Sequence, residues 1–434
     1  MCTVSQTTTA PTAAQRLYVR LVGGDPDGPV AANGLRQVAA SSLQSIGDQV
    51  MNAKTVLPWL LAALGVPAAF TGLLVPVRES GSMLPQAALT PWVTSRRRRS
   101  GVWVLGAAGQ ALSTAGVAAV AALGEGAPAG VAVVVLLAVF AVSRSLCSLA
   151  GKDVLGRTIP KGERGRVNGV ATVVAGVVAL SLGLGLRLLG GDVGAGLLAV
   201  LLVAAAVSWA LAGLVYSRVE ELADEQDAGG SGDGSGWAAQ AWALLRQDRP
   251  FRRFVVVRAL LLVSALAPPF FVQTSAAAGD SPLSGLGSFV VASGLAAVLG
   301  GRVFGSAADR SSRLLMAAGA AVASVVVLGV TVVLAVAGSA PGWVLAAAFF
   351  VVSLVHVGIR VGRKTYVVDM ADGDRRTEYV AVANTAMGVL LLAVGALTAG
   401  LATLGVVVAL GFLGVLGLVG ALLGRGLPEV SAGS

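Results

Sequence analysis

Twelve stretches built almost entirely of Ala, Val, Leu and Gly dominate this chain, and nothing else in it limits the fold so strongly. They fall at roughly 39–62, 67–93, 102–123, 129–151, 167–190 and 193–216, then 254–276, 284–306, 314–337, 342–366, 379–401 and 404–424. Each is about 20 residues or longer, enough to cross a hydrocarbon layer about 30 Å thick as a helix. Lipid offers no partner to a free backbone N–H or C=O, so segments this long and uniform must be helical. The expected fold class is an all-α membrane protein with twelve transmembrane helices.

The charges orient it. Arg96, Arg97, Arg98 and Arg99 form one basic connection, and Lys152, Arg157, Lys161, Arg164 and Arg166 form the next. In the second half come Arg310 with Arg313, then Arg363, Lys364, Arg375 and Arg376. The alternate connections carry lone acids (Glu125, Asp192, Asp280) or no charge, with Arg187 the one cation nearby. Lys and Arg resist translocation, so the chain is expected in a bacterial plasma (inner) membrane with both termini cytoplasmic. The first 34 or so residues are polar, rich in Thr and Pro, and do not read as a signal peptide.

With 56% hydrophobic and 12% charged residues and a mean hydropathy of +0.82, this is not the composition of a soluble enzyme. The net charge of +9 sits at segment ends, where orientation accounts for it and nucleic acid is not needed. One histidine and two cysteines, Cys2 and Cys147, cannot assemble a zinc site by the usual spacings. No phosphate-binding loop or nucleophile elbow is present, so no cofactor, metal or enzymatic activity is expected. The natural partners are a small-molecule substrate, protons and membrane lipid, with the chain acting as a monomer.

The chain also repeats. An offset of 211 places Pro58 on Pro269, Arg99 on Arg310, Lys152 on Arg363, Gly162 on Gly373 and Arg164 on Arg375. Two six-helix bundles related by a parallel repeat follow from this register. The expected organisation is a polar cytoplasmic tail (1–36), an N-terminal bundle (37–217), a cytoplasmic linker (218–252), a C-terminal bundle (253–425) and a short tail (426–434). The linker opens acidic, from Glu220 and Glu221 through Asp224, Glu225 and Asp227 to Gly236, as a solvated tether. Trp237, Trp242, Leu244 and Leu245 with Arg246, Arg249, Arg252 and Arg253 then read as an interfacial helix.

The run from Gly301 to Arg310 (Gly, Arg, Val, Phe, Gly, Ser, Ala, Ala, Asp, Arg), with Arg313 beyond, resembles the loop signature of the major facilitator superfamily between helices two and three of a half. Ser45, Ile46, Gly47 and Asp48 followed by Leu57, Pro58 and Trp59 resemble the first helix of bacterial exporters in that superfamily. The resemblance spans residues 36–424 and implies a transporter working by alternating access, with Asp309, Arg310 and Arg313 as a gating loop. The first-half loop carries no acid where Asp309 has its counterpart, so the charge gate there is either missing or rebuilt. The fifth helix has Gly169, Gly176, Gly183 and Gly185 but no Gly-Pro pair, so the antiporter signature of the superfamily is not met.

Arg78 and Glu79 stand at the centre of the second stretch. An ionised side chain at that depth costs about 2.5–3.5 kcal/mol on insertion scales, so each needs a partner or water. Neighbours on a helix diverge by about 100°, so the two cannot face one groove squarely. Glu79 is expected to carry a proton, with Arg78 binding substrate or tuning it; a structural ion pair is the alternative. Ser41, Ser45, Asp48, Asn52 and Thr55 form a polar stripe on the first helix, which makes Asp48 a second proton-coupling candidate and Asn52 a substrate contact. Lys54 lies off that stripe, where it either meets Glu79 or snorkels outward. Arg144 with Ser148 and Lys152, and Ser353 with His356, Arg360 and Lys364, form i, i+4 ladders, and Arg258 sits one turn inside helix seven. Arg144, Arg258, His356 and Arg360 join the substrate-binding candidates, although long basic side chains near helix ends also reach headgroups cheaply.

Bases outnumber acids among these residues and aromatics are only 5% of the chain, which tilts the expected solute toward an anion or zwitterion. Proton-driven efflux of amphipathic drugs is the alternative within the class. A non-transporting receptor or complex subunit on the same scaffold is the alternative outside it. Gly411, Gly414, Gly417 and Gly420 line one face of the last helix and read as a close-packing surface.

Overall fold

The computed structural model describes residues 11–23, 26–160, 163–188, 193–221, 237–278, 285–370 and 375–430. The acidic linker from Asp224 to Gly236 lies outside the described residues, as do Lys161, Gly162, Asp192, Asp280 and Gly373 and the side chains of Arg164, Asp309, Arg375 and Arg376. Among the described residues every regular element is a helix. In the first half these are α1 (Ala13–Leu21), α2 (Gly28–Val50), α3 (Val56–Ala63), α4 (Ala68–Met83), α5 (Pro85–Thr94), α6 (Arg99–Leu123), α7 (Gly126–Thr158), α8 (Arg164–Leu188) and α9 (Ala195–Tyr216). The second half has α10 (Trp237–Gln247), α11 (Arg249–Leu260), α12 (Val263–Leu266), α13 (Pro268–Ala278), α14 (Leu286–Ala337), α15 (Gly342–Asp369), α16 (Arg375–Ala402) and α17 (Val406–Arg425).

These elements make twelve crossings. α14 has 52 residues, which at about 1.5 Å each is more than twice the thickness of a bilayer core. Its helical path breaks at Ser311, where the backbone is extended, so it is two crossings joined at the basic loop. The first crossing is α2 with α3, interrupted over residues 51–55, and the seventh is α11 to α13, interrupted around Leu261 and Ala267. Prolines restart both: Pro58 stands in the first turn of α3 and Pro268 opens α13, where a missing N–H costs nothing. The break in the first crossing is tied by Asn52, whose side chain accepts the Lys54 N–H at 2.9 Å and whose carbonyl accepts that of Leu57 at 3.1 Å.

Two seams join the halves, and small residues make them close. On one, Gly72 of α4 lies against the Ala399 backbone of α16, and a Cβ on Gly395 would stand 2.0 Å from Pro76 Cγ. On the other, Gly183 of α8 abuts Val291 and Gly287 abuts the Arg187 backbone. At one end α3 packs against α13, and Leu57, Leu60, Phe270 and Phe271 are fully buried there. At the opposite end Lys152 of α7 and Arg360 and Lys364 of α15 are exposed. The centre is sealed at the α3–α13 end and open at the end carrying the basic connections.

Outward faces are apolar, as lipid requires: Leu112, Leu123, Val325, Val332 and Leu422 all project from the bundle. The glycines of α17 pack inside the chain, Gly414 on Leu328, Gly417 on Ser324 and Val263, and Gly420 on Leu260. Part of the polar N-terminal tail is helical. Thr12 and Gln15 cap α1 reciprocally, and Tyr18 is buried against Gly34 with its hydroxyl donating to Glu163 Oε2 at 2.8 Å. α1 is too short and too charged to register as an apolar stretch, which is why sequence periodicity passes over it.

Candidate functional site

Asp48 lies near the end of α2, on the polar stripe, and faces the two adjacent helices α4 and α7. Its Oδ1 accepts from Arg78 NH2 at 3.0 Å and from Arg144 NH1 at 2.8 Å, so one carboxylate oxygen holds two guanidinium groups. All three side chains are largely buried. Arg78 is further steadied by the Phe140 ring, 5.8 Å from its guanidinium carbon. The cluster ties three helices of the first half together and carries one surplus positive charge.

Glu79, one residue on, points elsewhere. It lines a cavity of about 200 Å³ at the junction of the two halves. Lys54 enters from the first half beside it, and Ser353, His356, Arg360 and Arg363 enter from α15 in the second. Steps of three, four and three along α15 put those four residues on one face. Phe349, Met83, Met387 and Leu391 supply apolar walls. Among the described residues Glu79 is the one acid in this lining, against Lys54, Arg360 and Arg363.

Lys54 Nζ lies 3.1 Å from His356 Nε2, and His356 Nδ1 lies 3.0 Å from Ser264 Oγ. An ammonium donates only, so Nε2 accepts, the ring proton sits on Nδ1, and Ser264 Oγ accepts it. The chain of bonds runs from the first half into α15 and α12 of the second. A second cavity of about 350 Å³ opens in the first half, with Gln44, Arg144, Ser148, Lys152 and the stacked pair Trp103 and Tyr216 on its walls. The Arg144 ladder faces this cavity, while the His356 ladder faces the central one.

No protein-family model and no curated protein sequence matches the chain. Solved structures do. A D-xylose–proton symporter is 13% identical, with a TM-score of 0.68 over 92% of this chain and 99% of that one. The inward-open xylose transporter XylE from E. coli matches 92% of this chain and 97% of its own at 13% identity, with a TM-score of 0.63. A peptide transporter, POT, in complex with sulfate matches 95% and 97% of the two chains at 13% identity and a TM-score of 0.65. The fold is that of the major facilitator superfamily.

Within this major facilitator fold the remaining candidates are placed as follows. Asn52 serves the break in the first crossing through the bond to Lys54 N and is not in the central lining. Arg258 is buried and donates to the Ala383 carbonyl and to Asn384 Oδ1, each at 3.2 Å, fastening α11 to α16. Of the residues expected to form a gating loop, Arg310 is exposed. Arg313 holds the C-terminal segment, donating to the Leu427 carbonyl at 2.9 Å and pairing with Glu429 at 3.4 Å. The first-half loop has its acid after all, from other elements. Arg99 pairs with Asp153 of α7, and Glu221 accepts the Arg99 N–H at 3.1 Å.

Arg363 and Ser264 were not among the sequence candidates; Arg363 is in the cavity lining, and Ser264 lies behind it, reached through His356 Nδ1. Arg363 reads in sequence as part of a basic connection, yet it is three residues from Arg360 and seven from His356, a spacing that marks the same helix face. Ser264 lies in an apolar run with no periodic partner, and nothing in the sequence marks it.

Proposed function

We propose that this chain is a proton-coupled secondary active transporter of a small anionic organic solute, held in a bacterial plasma membrane with both termini in the cytoplasm. The observation that carries this reading is the central cavity, where among the described residues a single carboxylate, Glu79, faces three cations at the junction of two bundles. The sealed α3–α13 end and the open basic end correspond to a cytoplasm-facing state by the charge rule. Membership of one fold with a D-xylose–proton symporter and a peptide transporter that binds sulfate supports the class of activity.

Glu79 is the proton carrier in this reading, and Asp48 organises Arg78 and Arg144. The Asp48 carboxylate is already engaged by two guanidiniums, whereas Glu79 lines the open chamber at the junction of the two halves. A proton on Glu79 removes the one negative charge from a cavity that receives an anion. Proton and anion therefore favour each other's binding, and by linkage the effect is mutual. Coupling of that sign suits symport, since exchange requires the two to compete. Lys54 and His356 close the far side and must part when the cavity faces outward.

The test begins with a thermal-shift screen of the purified chain against a metabolite library at two pH values. Ligands that stabilise it are then followed in proteoliposomes for counterflow and for co-movement of protons. Glu79→Gln is expected to retain counterflow and lose dependence on the proton gradient. Undiminished proton dependence in that variant would remove Glu79 from the role.

A further inference from the structure

The cations of the central cavity are divided between the halves. Lys54 comes from the first half and bonds His356, and Arg360 and Arg363 lie one and two turns farther along α15, about 6 and 10 Å of helix from His356. The solute thus meets a positive pole at each end of the chamber, one on each bundle. Lys54 now spends a hydrogen bond on a neutral imidazole acceptor, which an anionic oxygen would replace with a charge-assisted bond.

Charge counting sharpens this. With Glu79 ionised the lining carries two uncompensated positive charges, and with Glu79 protonated it carries three. Arg78, Asp48 and Arg144, outside the lining, add one more positive charge, so among the described residues this cluster offsets none of the surplus. In the open state water screens these charges, and closing the cavity removes that water. A singly charged solute leaves one or two positive charges behind. A doubly charged one leaves none or one.

We propose that the solute is a small dianion, a dicarboxylate or a phosphate monoester, bridging Lys54 of the first bundle and the Arg360 and Arg363 pair of the second. This rests on the transporter reading and names the substrate class of the same cavity. The size agrees: about 200 Å³ lies below the range of about 300–1,000 Å³ typical of sites for drug-sized ligands. Ser353, in the same lining and one turn from His356 on α15, is suited to a hydroxyl or a second oxygen of the same anion.

The experiment compares matched probes with the purified full-length chain by calorimetry and thermal shift at pH 7. Succinate and glutarate are set against the monoanions succinamate and glutaramate, and glycerol 3-phosphate against its methyl diester. At least one dianion is expected to bind tenfold or more tightly than its monoanionic partner, and which arm responds tells carboxylate from phosphate. The preference is expected to shrink severalfold in Lys54→Gln and in Arg363→Gln, while Glu79→Gln strengthens dianion binding. Equal affinity within every pair, or no binding by any of the three dianions, overturns the proposal. Counterflow of some other solute in that case leaves the transporter reading standing. Dianion binding without counterflow sinks that reading and keeps the site.

Discussion

Lys54 Nζ sits 3.1 Å from His356 Nε2, and this hydrogen bond joins the two bundles just inside the sealed end of the molecule. A bond with one charged partner contributes about 1.5–3 kcal/mol, enough to shift an equilibrium between two facing states by about tenfold or more. Lys54→Met is therefore expected to populate the state open at the α3–α13 end. In a background lacking Cys2 and Cys147, Leu60→Cys is sealed in the present state and should react several times faster with an impermeant thiol reagent once Lys54 is replaced. Unchanged reactivity would show that the bond does not hold the gate.

Asp48 neutralises parts of two guanidiniums at once, so Asp48→Asn leaves both with weaker acceptors. The cost is expected at about 1–3 kcal/mol, since the cluster is partly open to water. Adding Arg78→Gln should recover part of that loss, so the double variant costs less than the sum of the two single variants in a double-mutant cycle followed by thermal unfolding. Strict additivity would mean the contact adds nothing to stability.

The α4–α16 seam depends on a missing methyl group. Gly395→Ala would drive a Cβ into the rigid Pro76 ring and is expected to cost about 1–3 kcal/mol and to hinder movement along the seam. Gly400→Ala, five residues along the same helix with open space around it, should be neutral or slightly stabilising. Equal melting temperatures for the two variants would remove the seam from the list of tight contacts.

Burial, and then the Glu163 carboxylate that accepts its hydrogen bond, hold the Tyr18 phenol above its ordinary range. A folded-state pKa above the unfolded one contributes stability that is complete below about pH 10 and lost as pH rises beyond it. Hydrogen exchange in α1 should therefore speed up above that pH in the parent chain. Tyr18→Phe should dock slightly less firmly at neutral pH and show no such alkaline loosening.

Much of the architecture is readable from periodicity. Spanning helices have to be apolar for their whole length, so their number and approximate limits are written in composition. The 211-residue register also foretells the paired breaks, because Pro58 and Pro269 both fall where the first helix of a half restarts. α1 escaped because a short amphipathic helix has no such length requirement. Arg363 reads as part of a basic connection because basic residues near helix ends have two possible destinations, and only packing chooses between them.

Sequence alone thus determined that this chain crosses a membrane and that a few ionisable groups needed shelter there, because the cost of charge in hydrocarbon is a one-dimensional constraint. Tertiary structure decided which groups meet. Asp48 takes Arg78 and Arg144, Glu79 turns to the central cavity with Lys54, and His356 reaches across from the other bundle. Those choices depend on how helices far apart in the chain rotate and approach one another, which small residues at the seams permit and local sequence pattern does not encode.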